Sequence, residues 1–148
     1  MIDYKDLMVG DLVYYSNANK YVTKVLGIRP SSDDDEDNYA IICTRDEKDP
    51  LAEQNKKFWQ LFTVDILHPI PLTKEILEKN MTSWNDKFET YDFGKLSVSY
   101  DDDYDDFDIG NFGVGFLGDQ FQYFGSIKYV HELQHVLRLL GIEKEIEL

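Results

Sequence analysis

The chain has 148 residues, 43% hydrophobic and 14% aromatic, with 15 Lys and Arg against 29 Asp and Glu and a formal net charge of −14. That length makes one domain or two small ones and buries roughly 68–70% of the unfolded surface; the composition excludes a disordered acidic tail. The charge repels a phosphate backbone or an anionic membrane, and Lys56-Lys57 is the single basic pair, so no direct nucleic-acid or membrane partner is expected.

One cysteine, Cys43, makes no internal disulfide. The opening Met1-Ile2-Asp3-Tyr4-Lys5-Asp6 is polar and acidic and does not read as a signal peptide. No apolar run reaches the ~20 residues of a membrane-spanning helix. A cytoplasmic α+β protein is expected.

The first half reads as strands. Asp11 to Tyr15 and Tyr21 to Ile28, rich in β-branched residues, flank the turn Ser16-Asn17-Ala18-Asn19 and predict a hairpin. The run Arg29 to Asp37 is an acidic loop whose like charges repel. Tyr39 to Thr44 is a third strand, and Phe58 to Leu67 a fourth, broken one. The prolines of His68-Pro69-Ile70-Pro71 stop the sheet, because proline donates nothing to a ladder. Few short strands in this length suit a small SH3-like antiparallel β-barrel over residues 1–71, a likeness of architecture that implies no activity.

Residues 72–148 read as helix, antiparallel sheet and helix, expected to pack with the first half as one unit. Thr73 is an N-cap for a short helix ending at Asn80. Phe88 to Phe93, a turn at Gly94, and Leu96 to Tyr100 are strands. Ile109 to Leu117 and Phe121 to Phe124 flank Gly118-Asp119, a two-residue hairpin signal. The last helix runs from about Ile127 to Leu140, with Ser126 capping its start and Gly141 its end. The tail Ile142 to Leu148 alternates as an edge strand would.

Four patterns bear on function. His131-Glu132-Leu133-Gln134-His135 is a literal H-E-x-x-H on a helix. There, two histidines one turn apart can share a zinc ion and the glutamate can act as general base. A third ligand is required, and Glu143 is the candidate. Against this zinc hydrolase stands the helix face: Ile127, Val130, Leu133, Leu137 and Leu140 form the apolar stripe, and His131 and His135 fall nearly opposite it, beside Lys128 and Arg138. The expectation is a water-facing histidine pair with no catalytic role.

Gly113-Val114-Gly115-Phe116-Leu117-Gly118 matches G-x-G-x-x-G, but a dinucleotide site needs a helix after it, and Phe121-Gln122-Tyr123-Phe124 reads as strand. A glycine-rich hairpin, its gaps filled by Phe112, Phe116, Phe121 and Phe124, is expected instead. No cofactor is predicted.

Asp101-Asp102-Asp103-Tyr104-Asp105-Asp106-Phe107-Asp108 clusters carboxylates as a calcium site does. In an EF-hand frame from Asp101, however, position six is Asp106 instead of glycine and position twelve is Phe112 instead of glutamate. Interleaved with aromatics, Asp101 to Phe107 makes an acidic surface suited to a basic protein partner. A mimic of DNA that inhibits a DNA-binding enzyme is built in the same way. Cys43 reads as a small core residue and His68 as structural.

The segments "IPLTKEILEKN" and "IKYVHELQHVLRLLGIEKEIEL" resemble a group of short proteins from anaerobic gut bacteria and their phages or mobile elements. Members pair an N-terminal Gly-Asp-Leu/Trp-Val segment, here Gly10-Asp11-Leu12-Val13, with a helix of the type Tyr-Val-His-x-Leu-Gln, here Tyr129 to Gln134. The group has no assigned function, so the resemblance carries over no catalytic residue. It implies an accessory protein of mobile-element origin in the host cytoplasm. The reading from sequence is a non-enzymatic protein-binding module with an unidentified protein partner; the zinc hydrolase and the DNA mimic are the alternatives.

Overall fold

The computed structural model describes residues 2, 4–15, 21–29, 39–44, 60–63, 66–100, 112–117 and 120–148. The fold is α+β. The chain divides into two compact units, Met1–Ile70 and Pro71–Leu148.

Among the described residues the first unit holds a short 3-10 helix (Tyr4–Asp6) and one five-stranded antiparallel sheet. Its strands are β1 (Leu12–Tyr15), β2 (Tyr21–Arg29), β3 (Tyr39–Thr44), β4 (Gln60–Thr63) and β5 (Leu67–His68), in spatial order β4-β3-β2-β1-β5. The stretch read as one broken strand is thus two strands at opposite edges. β5 returns beside β1, as the fifth strand of an SH3-like barrel does; among the described residues no pairing closes the sheet into a barrel.

Alternation explains the core. Val13 faces Thr23 and Tyr15 faces Tyr21 across the β1–β2 ladder, while Leu67 of β5 faces Tyr15. Val13, Tyr15, Val25 and Leu67 are buried with Ile2 and Leu7 in one cluster. Between β2 and β3 the register shifts from Val25 to Gly27, a bulge that bends the long strand.

The turn into β1 needs its glycine: Gly10 has a φ of 96°, where a Cβ is strained. Asp11, fully buried, ties this turn by accepting from the Met8 N–H at 2.7 Å.

The second unit begins with α1 (Lys74–Asn80), continues through β6 (Ser83–Asn85), β7 (Thr90–Phe93), β8 (Leu96–Tyr100), β9 (Phe112–Leu117) and β10 (Phe121–Ile127), and ends with α2 (Val130–Leu139) and a tail. The strands form an antiparallel meander in order β10-β9-β8-β7-β6. β6 was missed in the sequence because three polar or exposed residues carry no alternation.

The registers Tyr91↔Val98↔Val114, Phe93↔Leu96 and Tyr100↔Phe112↔Ile127 place the apolar side chains on one face of the sheet. Tyr91, Phe93, Leu96, Val98, Phe112, Val114 and Ile127 are all buried. Leu77 of α1, Val130, Leu133 and Leu137 of α2, and Ile146 of the tail are buried too. Each such side chain contributes about 1.5–3 kcal/mol. The opposite face carries Thr90, Asp92, Ser97 and Ser99. Thr90 and Ser97 both donate to Asp92 Oδ1, at 3.0 and 2.8 Å, which satisfies two buried hydroxyls.

Both helices start where two extended segments meet. Pro71 bridges to Tyr129, and the Leu72 N–H donates to the Lys128 carbonyl at 2.8 Å. Thr73 caps α1 as expected, its Oγ1 accepting from the Ile76 N–H at 3.3 Å. For α2 the expected cap is corrected: Ser126 lies inside β10, and the N-cap is Tyr129. Gly141 follows the helix at a φ of 68°, the left-handed stop expected of it.

The tail is also corrected. It pairs with no strand among the described residues; instead the Asn80 side chain brackets Glu147. Asn80 Nδ2 donates to the Glu147 carbonyl at 2.7 Å, and Asn80 Oδ1 accepts the Glu147 N–H at 2.9 Å. A side-chain amide thus supplies both bonds that a neighbouring strand would.

Candidate functional site

The pentapeptide His131 to His135 occupies the first turns of α2, and two of its residues differ from expectation. His131 is 4% exposed, so it does not face water. Its ring stacks on Tyr129, 5.7 Å between centroids and 13° between planes. The helix's own stripe gives no sign of this; Tyr129, which covers one side of the ring, precedes the helix and is bridged to Pro71. Gln134 is buried as well, and His135 is half-buried.

Glu132 serves the helix start. Its Oε2 accepts from the Lys128 N–H at 2.6 Å and the Tyr129 N–H at 3.0 Å. This is the glutamate half of a capping box, three residues into the helix, where the helix dipole also favours a negative charge. A general base needs a carboxylate oxygen aimed at a metal-bound water. Here Oε2 is held by two backbone donors.

The structure brings His131 and His135 together, edge to face, with ring centroids 5.7 Å apart. Glu143 lies exposed beyond Gly141 and does not join them. Among the described residues no three His, Cys, Asp or Glu side chains are grouped to hold a metal ion.

The acidic run Asp101, Asp102, Asp103, Tyr104, Asp105, Asp106 and Phe107 lies outside the described residues. It connects the end of β8 to the start of β9. The EF-hand frame fails at its described end, since Phe112 is a buried strand residue. Cys43 falls on β3. His68, on β5, has its pKa lowered from 6.5 by burial and then by the N-terminal charge.

The glycine pattern forms a hairpin, as expected. β9 passes to the strand β10, where a dinucleotide site needs a helix. A Cβ on Gly115 would lie 2.5 Å from the Gln122 carbonyl oxygen and 2.8 Å from Phe121 Cζ. One on Gly113 would lie 2.8 Å from Ser99 Oγ and 3.2 Å from the Tyr123 ring. Phe121 and Tyr123 therefore lie over a glycine floor on one face. Of the aromatics expected there, only Phe121 does so; Phe116 and Phe124 pair with each other, 5.1 Å between centroids, and Phe112 is buried. Tyr123 was missed, and the alternation Phe121-x-Tyr123 opposite Gly113-x-Gly115 was its signal.

β10 is the feature this leaves in view. Among the described residues it is an edge strand, seven residues long and without a charge. Tyr123 is 61% exposed and Phe124 49%. Among the described residues no helix is long and apolar enough to cross a membrane. No protein-family model matches the chain, and no curated protein or solved structure matches it.

Proposed function

We propose that this chain is a non-enzymatic protein-binding module for a basic partner. The observation that carries this reading is the exposed aromatic group on β10, Tyr123 and Phe124 with Phe116 beside them, in a chain of net charge −14. Aromatic side chains left in water lose the transfer free energy that burial would return, and they dominate the energetics of protein interfaces. The net charge favours basic partners and speeds their encounter. The connection Asp101 to Phe107 is a second candidate contact on the same grounds of charge and aromatic content. The hydrolase alternative is weakened by the capping role of Glu132.

The test is affinity capture from host lysate, followed by titration of the purified partner. The expected result is a basic protein whose affinity falls steeply between roughly 0.05 and 0.5 M salt. Charge reversal of Asp101 to Asp106 should weaken it, and its persistence at full strength removes that connection from the surface. A partner that is acidic, or bound independently of salt, contradicts the reading.

A further inference from the structure

We infer that β10 takes up an extended, basic segment of the partner as a sixth strand of the second sheet. The inference rests on the protein-binding reading and adds its site and mode. Among the described residues β10 pairs only with β9, so no described strand takes up the backbone donors and acceptors of its other side. Seven residues span about 23 Å, long enough for a full ladder with a peptide of similar length.

Natural edges are blunted by charge, proline, short length or bulges. β10 has one such device, the register shift between Tyr123 and Gly125, and neither charge nor proline. Aromatic side chains stand on both faces beside this edge. Phe121 and Tyr123 lie over the glycine floor on one side, while Phe116 and Phe124 pair on the other. Successive residues of an added strand point to opposite faces, so both sets of its side chains meet a ring.

Charge decides between occupants. Residues 71–148 hold seven Lys and Arg against sixteen Asp and Glu. A second copy brings the same excess and is repelled; a segment alternating basic and apolar residues is attracted.

The probe is a fluorescein-labelled nine-residue peptide alternating lysine and valine, titrated into the full chain by anisotropy. Wild type is expected to bind it and to ignore the counterpart with glutamate for lysine. Phe124→Lys places a like charge at the edge and is expected to weaken binding about tenfold. Tyr123→Ser, which adds no charge and removes one exposed ring, is expected to weaken it less, and it carries the test should the lysine variant not fold. Undiminished binding in both variants overturns the β10 site and leaves the protein-binding reading standing. No binding to wild type, or equal binding of the glutamate peptide, overturns strand addition by a basic segment, while capture of a basic protein judges the broader reading separately. Sedimentation showing a wild-type dimer that Phe124→Lys dissociates overturns the inference in favour of a second copy as occupant.

Discussion

At one edge of the second sheet stands β6, three residues long, followed by a loop that carries Asp86, Lys87 and Glu89. Its aromatic, Trp84, is engaged: the ring meets Tyr91 edge-on at 5.0 Å, and Nε1–H donates to Asp86 Oδ1 at 2.9 Å. Asn85 Oδ1 accepts from the Lys87 and Phe88 N–H groups, at 3.1 and 3.4 Å, which tightens the loop. At the other edge stands β10, seven residues long and uncharged, with Tyr123 and Phe124 in solvent. β6 offers an added strand three residues beside a charged loop, whereas β10 offers seven without a charge. The two edges of one sheet thus differ in length, local bonding and aromatic exposure.

The largest expected effect comes from dismantling the open edge at its base. Gly115→Val drives a side chain into the Gln122 carbonyl and the Phe121 ring, and should cost about 3 kcal/mol in urea unfolding. Gly125→Ala, whose Cβ would meet only Val114 Cγ2 at 4.0 Å, should leave stability within about 0.5 kcal/mol. If the two variants unfold alike, the glycine floor does not hold β10.

A smaller loss is expected where the tail is held by a side chain instead of a sheet edge. Asn80→Ala removes both bonds to Glu147 and should cost about 2 kcal/mol, with faster amide exchange at Glu147. Glu132→Ala takes the carboxylate from the Lys128 and Tyr129 N–H groups and should cost about 1 kcal/mol. Glu132→Gln, which keeps an acceptor oxygen, should cost less. Neither change should alter peptide binding at β10.

The edges themselves are separated by a paired substitution. Trp84→Ala should cost about 1 kcal/mol through its lost ring contact and leave peptide binding intact. Phe124→Ser should cost less in stability and weaken binding; the opposite pattern would reverse the comparison. The smallest effect is a pH dependence in the first unit. The folded pKa of His68 lies below its ordinary 6.5, so the unfolded chain binds its proton more tightly. The contribution is present above pH 6.5 and is lost as pH falls below it; His68→Gln should flatten the stability profile there.

Much of the fold is legible in the sequence because alternation and caps are local signals. The β-branched run Tyr21 to Ile28, the Tyr39 to Thr44 strand, Thr73 and Gly141 all stand where the sequence places them. The misses share a cause: each is decided by a contact that the segment's own periodicity does not show. β6 exists through its pairing with β7, and His131 is covered although its helix face is polar. The alternating tail is kept from a sheet by Asn80. The sequence points to Ser126 for the start of α2, although Glu132, the glutamate at the third helical position, carries the signal that holds. Of the candidate site, the H-E-x-x-H pattern was visible at once, but its use as a cap was not, since the same glutamate serves either role. The β10 edge was not legible, because a strand's sequence does not tell whether its second side is paired.

Amide hydrogen exchange by NMR across β6 and β10, with and without the lysine–valine peptide, tests the central claim most directly. The account predicts slowed exchange in Phe121 to Ile127 on peptide binding and no change in Ser83 to Asn85. Protection at β6, or around His131 and His135 with β10 unchanged, would contradict it.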